Sequence, residues 1–193
     1  METHLPIQEI ACQQVLLADS SVFSIQRTIL PASVTGFFSA VDLQKCYLAY
    51  IRSCTLTIIR PMVFQTGIEF RLFGTNWSLI TFLPPVVEAD SVTLRICGGL
   101  FVQSDKSNCG KFRFGVEPVC DGLLVSLQLS GYFPMILGCS PPSCIRFRLY
   151  RLTQSAIHRL VTLRFLTLLY KELAGSPAAV RAINISISDG RPL

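Results

Sequence analysis

Histidine occurs twice in this chain of 193 residues, tryptophan once, and charged side chains make up 15% of it. So few histidines leave a metal site to depend on cysteine, and the eight cysteines (Cys12, Cys46, Cys54, Cys97, Cys109, Cys120, Cys139 and Cys144) include no C-x-x-C pair. No metal site is therefore expected. Scattered free cysteines of this kind read as small buried hydrophobes in a reducing compartment, which points to the cytoplasm. The first residues carry Glu2 and Glu9 and no basic segment leading into an apolar run, so no secretory leader is expected, and the sequons at Asn76 and Asn184 carry no meaning without one. Also missing are G-x-G-x-x-G, G-x-x-x-x-G-K, H-E-x-x-H and G-x-S-x-G. No cofactor and no catalytic residue follows from a motif. The net charge of +5 is mild. It permits an acidic partner and does not call for nucleic acid.

What the chain has in quantity is hydrophobic side chains, half of the total, with a mean hydropathy of +0.49. Residues 122–145 are uncharged over a length that could span a bilayer. Within them Ser126, Gln128 and Ser130 alternate with apolar residues, and Gly131, Pro134, Gly138, Pro141 and Pro142 follow. Alternation and breakers together argue for a strand and a loop, and against a transmembrane helix.

Period-two patterning recurs in Ile68-Glu69-Phe70-Arg71-Leu72, Val92-Thr93-Leu94-Arg95-Ile96, Phe112-Arg113-Phe114-Gly115-Val116, Val125–Ser130 and Ile145-Arg146-Phe147-Arg148-Leu149. Strands with one apolar and one polar face build antiparallel sheets. Residues 56–59 and 79–82 are shorter strand candidates. Asp121-Gly122 suits a tight hairpin turn, Ser107-Asn108-Cys109-Gly110 a second turn, and Gly98-Gly99 a bulge or bend. Residues 1–33 read as irregular and residues 33–50 as a helix. Residues 153–173 read as a long helix with Thr153 as N-cap and Gly175 and Pro177 as its stop. That helix is apolar around most of its circumference, so a sheet on one side cannot cover it. The N-terminal helix, a second protomer or a ligand must shield the rest. Residues 1–175 then form a single α+β domain, a curved antiparallel meander packed on the long C-terminal helix. Residues 176–193 form a tail whose Ile183, Ile185 and Ile187 could make an edge strand, with the last five residues loose.

This order of elements resembles the helix-grip fold of the START-type lipid-transfer and aromatic polyketide-cyclase superfamily. The resemblance covers about residues 33–174 and rests on residues 92–149 leading into 153–173. The N-terminal segment, the loop at 131–143 and the tail depart from it. Folds host many functions.

Three functions compete. The first is a non-enzymatic binder holding an apolar or amphipathic small molecule between the sheet and the long helix. Gln154, His158 and Thr162, four residues apart on one helical face, would orient the ligand, and Tyr132 and Phe133 would sit at the mouth of the pocket. A gap between the sheet's apolar face and the helix solidly filled by Phe112, Phe114, Leu127 and Leu163 would end that reading. The second is an interaction protein that buries the long helix in a homo-oligomer. The third is a cyclase- or hydrolase-like enzyme using His158 as acid–base, which needs a carboxylate or tyrosine within reach. Arg71, Arg95, Arg113, Arg146 and Arg148 could also form a band on the polar side of the sheet, suited to an anion.

Overall fold

A computed structural model describes residues 7–34, 36–106, 108–138, 142–175 and 179–193. The chain opens with a hairpin, β1 (Ile7–Leu16) and β2 (Val22–Pro31), and continues into helix α1 (Ala40–Cys54). A run of strands follows: β3 (Ile59–Phe64), β4 (Gly67–Leu72), β5 (Ser78–Phe82), β6 (Val86–Val87), β7 (Ser91–Gly98), β8 (Lys111–Val119) and β9 (Gly122–Tyr132). A helical rod comes next, made of α2 (Cys144–Tyr150), a π-helical turn (Arg151–Ser155) and α3 (Ala156–Ala174). β10 (Ala179–Asn184) and β11 (Arg191–Pro192) complete it. The strands join in one sheet ordered β10–β1–β2–β9–β8–β7–β5–β4–β3, with β11 also on β1 and β6 also on β7. β10 runs parallel to β1, and the other pairings among the described residues are antiparallel. This is the α+β meander with a long C-terminal helix that the patterning implies.

α1 starts at a capping box, in which Ser39 accepts from the Asp42 amide and the Asp42 carboxylate accepts from the Ser39 amide. It and α3 lie on one face of the sheet. There Tyr47 of α1 makes edge contacts with Phe112 (5.3 Å between centroids), Phe114 (5.4 Å) and Phe165 of α3 (5.1 Å). One aromatic knot thereby ties α1, β8 and α3 together. Two glycines bring backbones close. A Cβ at Gly122 (φ +148°) would sit 2.0 Å from the Leu30 carbonyl oxygen, and one at Gly99 (φ +119°) would sit 2.4 Å from that of Leu79.

Several expectations change. Residues 7–31 are two ten-residue strands, not an irregular segment. β2 hides its regularity because its polar residues Ser24, Gln26 and Thr28 point inward, while Phe23 and Ile25 pack with Val15, Leu17 and Ile185 on the other face. Ile145 to Leu149 is helix α2, not a strand. Five residues of alternation also satisfy a helix that buries Phe147 and Tyr150 three apart, and Ser143 caps it by accepting from the Arg146 amide at 3.3 Å. Thr153 is therefore no N-cap. It lies in the π turn and donates back to the Leu149 carbonyl at 2.6 Å. The π turn adds about one residue to the coil, a rotation of about 100°. That keeps Phe147 and Tyr150 on the same face as Thr162, Phe165, Leu166 and Leu169. Residues 56–58 form a tight turn with Leu56 and Thr57 at positive φ, and β3 begins at Ile59. The β8–β9 turn is centred on Cys120 and Asp121, with Gly122 opening β9 opposite Val119. The expected turn near Asn108 forms at residues 108–109, and Ser107 lies outside the described residues.

Residues 179–193 are tied to β1. Gln13 donates to the Ser188 carbonyl (2.6 Å) and accepts from the Ile187 and Ser188 amides (2.7 and 3.0 Å), and Arg191 and Pro192 pair with β1. Of the three alternating isoleucines, Ile183 lies in the edge strand β10, while Ile185 and Ile187 follow its end. At the sheet's opposite margin, β3 pairs on one side with β4 and carries Pro61 among exposed residues.

The arginine band does not form. Arg146 and Arg148 lie on α2, and β5 separates Arg71 of β4 from Arg95 of β7. Arg71 meets Glu69 at 2.7 Å, and Arg113 lies 3.9 Å from Glu117. The helical rod, too, is less covered than its composition demands. The sheet and α1 bury Thr162, Phe165, Leu166 and Leu169, while Ile145, Leu149, Leu152, Leu160 and Leu168 on the far flank stay between 45% and 80% exposed. No helix among the described residues is long and apolar enough to cross a membrane.

Candidate functional site

Under α3 the inner face of the sheet changes character from one side to the other. Beneath α1 and the C-terminal half of α3 it is built from Val92, Leu94, Phe112, Phe114, Val116, Val125 and Leu127, all buried. On β1 and β2 the same face presents Gln8, Ser24, Gln26 and Thr28, each no more than 2% exposed. Alternation forces this. Cys12 pairs with Gln26, Ile10 with Thr28 and Gln14 with Ser24, and β9 carries the face onward through Leu127 opposite Gln26 and Leu129 opposite Ser24.

Two hydrogen bonds clamp α3 along β1. Gln8 donates to the Leu166 carbonyl (3.2 Å), and the Ser155 hydroxyl donates to Gln14 Oε1 (3.2 Å). His158 and Thr162 lie on the stretch of α3 between them, and Gln154 stands just before Ser155 in the π turn. Four side-chain atoms here are shut off from water without a hydrogen-bond partner: Gln8 Oε1, Gln26 Oε1, Gln154 Oε1 and His158 Nε2. Each such atom costs about 1–3 kcal/mol if it stays unpaired. The amide nitrogens of Gln8 and Gln26 are engaged, with Thr28 and Leu166 and with Ser24 (2.9 Å) respectively. Three of the four unmatched atoms are therefore carbonyl oxygens that can only accept.

His158 stands at the boundary of the two halves, with the Phe112 ring edge-on at 6.3 Å. Its ring is half-buried, but Nε2 is enclosed, and burial pushes its pKa down to about 4. The imidazole is thus neutral at physiological pH, and Nε2 can donate or accept. Neither a carboxylate nor a tyrosine hydroxyl meets that atom, as acid–base chemistry would require. Thr162 is buried, but its hydroxyl donates into its own helix, to the carbonyls of His158 (2.8 Å) and Arg159 (3.1 Å), which leaves its lone pairs free.

Tyr132 and Phe133 lie elsewhere. Tyr132 is buried and donates to the Phe101 carbonyl at 2.8 Å, which latches the end of β9 to the loop after β7. Phe133 lines a surface cleft of about 610 Å³ with Leu100, Val102, Gln103 and Met135, and Lys106 Nζ lies 5.6 Å from its ring. A second cleft of about 340 Å³ opens beside Arg159, Asn184 and Asp189 at the β1 edge. The gap between the sheet's apolar face and the helix is filled by Phe112, Phe114 and Leu127, with Leu163 packed against the same core, so the ligand expected against that apolar face has no room there. Among the described residues no three His, Cys, Asp or Glu side chains converge as metal ligands would. The sequence pattern pointed to Gln154, His158 and Thr162 but not to the buried polar residues Gln8, Ser24, Gln26 and Thr28. The alternation of Ser24, Gln26 and Thr28 with Phe23, Ile25 and Ile29 was the signal that could have found the strand.

No family model and no curated protein matches the chain. Among solved structures, it is similar to the di-domain ARO/CYC StfQ from the steffimycin biosynthetic pathway, at 11% identity and a TM-score of 0.44. That alignment covers 81% of this chain and 52% of StfQ, so the chain spans about half of that protein's length. CalU16 from Micromonospora echinospora is similar in its solution structure (TM-score 0.35, 14% identity, 67% of this chain and 63% of that one). It is similar again in its crystal structure (TM-score 0.28, 16% identity, 80% and 98%).

Proposed function

We propose that the protein binds a small amphipathic molecule between β1–β2 and the N-terminal half of α3, without transforming it. The observation that carries this reading is the set of four enclosed, unmatched polar atoms on Gln8, Gln26, Gln154 and His158. Interiors match their polar groups, and a cluster that does not is a site awaiting a partner. Because three of the atoms accept only, the ligand must bring donors, hydroxyl or amine, to that strip. Its apolar part would rest against Phe112 and Leu129, where the aromatic half of the core begins.

Native mass spectrometry of protein purified from its own source tests this. A co-purified small molecule that is lost in Gln26→Leu and His158→Leu, with the fold intact by circular dichroism, is expected. Ligand-free protein, with ordered water on all four atoms in a crystal, would leave the strip a structural water site and end the proposal.

A further inference from the structure

The outer flank of the helical rod is unshielded, and its composition is specific. Ile145, Leu149, Leu152, Leu160 and Leu168 recur at spacings of three, four and eight residues along the side away from the sheet, with exposed Ile157 beside them. Between and around them stand Arg146, Arg148, Arg151, Arg164 and Lys171, all exposed. From 144 to 174 the chain carries six basic residues, Arg159 included, against a single acidic one, Glu172. The π turn keeps this face continuous, since without its extra residue the exposed leucines of α2 and α3 would point in directions about 100° apart.

We infer that this flank is a docking surface for an anionic lipid membrane, on which the rod lies parallel to the plane with its leucines in the interface and its arginines on the headgroups. Basic residues bordering an aliphatic stripe on one long helix make the pattern of interfacial helices, and cations near an anionic leaflet are drawn to it. Charge decides against the other obvious occupant. A second copy docked through the same face would bring two sets of Arg148, Arg151 and Arg164 into one interface, because a two-fold interface uses the same patch twice. An anionic surface complements all of them at once. The inference is independent of the interior site, which lies on the opposite side of α3.

Vesicle flotation tests it with the full chain. Binding is expected on vesicles of phosphatidylcholine mixed with phosphatidylserine, at least about tenfold stronger than on phosphatidylcholine alone, and falling as salt is raised. Leu152→Glu with Leu160→Glu should abolish binding. Arg148→Glu with Arg164→Glu should remove the preference for the anionic vesicles. All four positions are exposed, so these variants should keep the wild-type circular dichroism. Failure of the wild-type protein to float with the anionic vesicles overturns the inference, as does equal binding to both kinds. A wild-type dimer in sedimentation that the leucine variant dissolves, without any flotation, assigns the face to a second copy instead.

Discussion

The two halves of the interior are made by the same sheet and the same helix, yet they obey opposite rules. On β7–β9 the inward positions are aromatic and aliphatic, and Tyr47, Phe112, Phe114 and Phe165 interlock. On β1–β2 the inward face sets Gln8, Ser24, Gln26 and Thr28 among the apolar Ile10, Cys12, Val22 and Leu30, and Phe23 and Ile25 are turned to the other face. The first half explains why the protein folds. The second makes folding harder, because its carbonyl oxygens lose water and gain no partner. A chain with half its residues hydrophobic has no shortage of side chains to fill that space. The contrast teaches that one core can hold an interlocked aromatic half and a polar half side by side.

The sharpest break of this comparison is truncation in the aromatic half. Tyr47→Ala should cost about 3–5 kcal/mol in denaturant unfolding, since a large cavity opens where three elements meet. It should leave the polar strip's own groups in place. A loss below about 1 kcal/mol would show that the knot does not hold the halves together.

Next is the acid response of His158. Its folded pKa, about 4, lies below the ordinary 6.5. Between these values the unfolded chain binds the proton and the native one does not. Stability is therefore full above pH 6.5 and declines as pH falls toward 4, by at most about 3 kcal/mol. His158→Leu should flatten that part of the stability–pH curve, as read by thermal melts across the range. An unchanged slope would place the acid response elsewhere.

Gln26→Leu should do the reverse of a usual core substitution, leaving stability unchanged or raising it by about 1 kcal/mol, because an unmatched carbonyl disappears. A loss of more than about 2 kcal/mol would mean that Gln26 is fully satisfied and structural. The smallest effect is expected at Arg191→Ala, about 0.5–1 kcal/mol for losing the cation stacked on Phe147. A melting temperature equal to wild type would show that the tail's hydrogen bonds suffice to hold it.

The apolar half was readable from sequence because its strands follow the ordinary convention, hydrophobic inward. Ile68–Leu72, Val92–Ile96, Phe112–Val116 and Val125–Ser130 lie within β4, β7, β8 and β9. The polar half was not, since the alternation in β2 is inverted and its outer hydrophobics are covered by a tail 160 residues onward, through Ile185 on Phe23 and Ile25. Nothing local announces that. His158 and Gln154 were legible by helical spacing, but their counterparts on β1 and β2 become visible only once the strands are in register. Ile145–Leu149 misled for a different reason: its alternation is too short to separate a period of two from the three-residue spacing of Phe147 and Tyr150, and the cap at Ser143 was the better guide.

The two margins of the sheet differ in a way that bears on self-association. On one side β10 and β11 occupy the outer edge of β1, over Ile7–Cys12 and again at Val15 and Leu16. On the other, β3 offers free backbone groups interrupted by Pro61, which has none to donate. Endless stacking of molecules edge against edge requires each unit to offer two receptive rims. Here one rim is the exposed six-residue strand β10 and the other is β3, where Pro61 interrupts the row of donors, so growth edge against edge is disfavoured at the β3 rim by that proline.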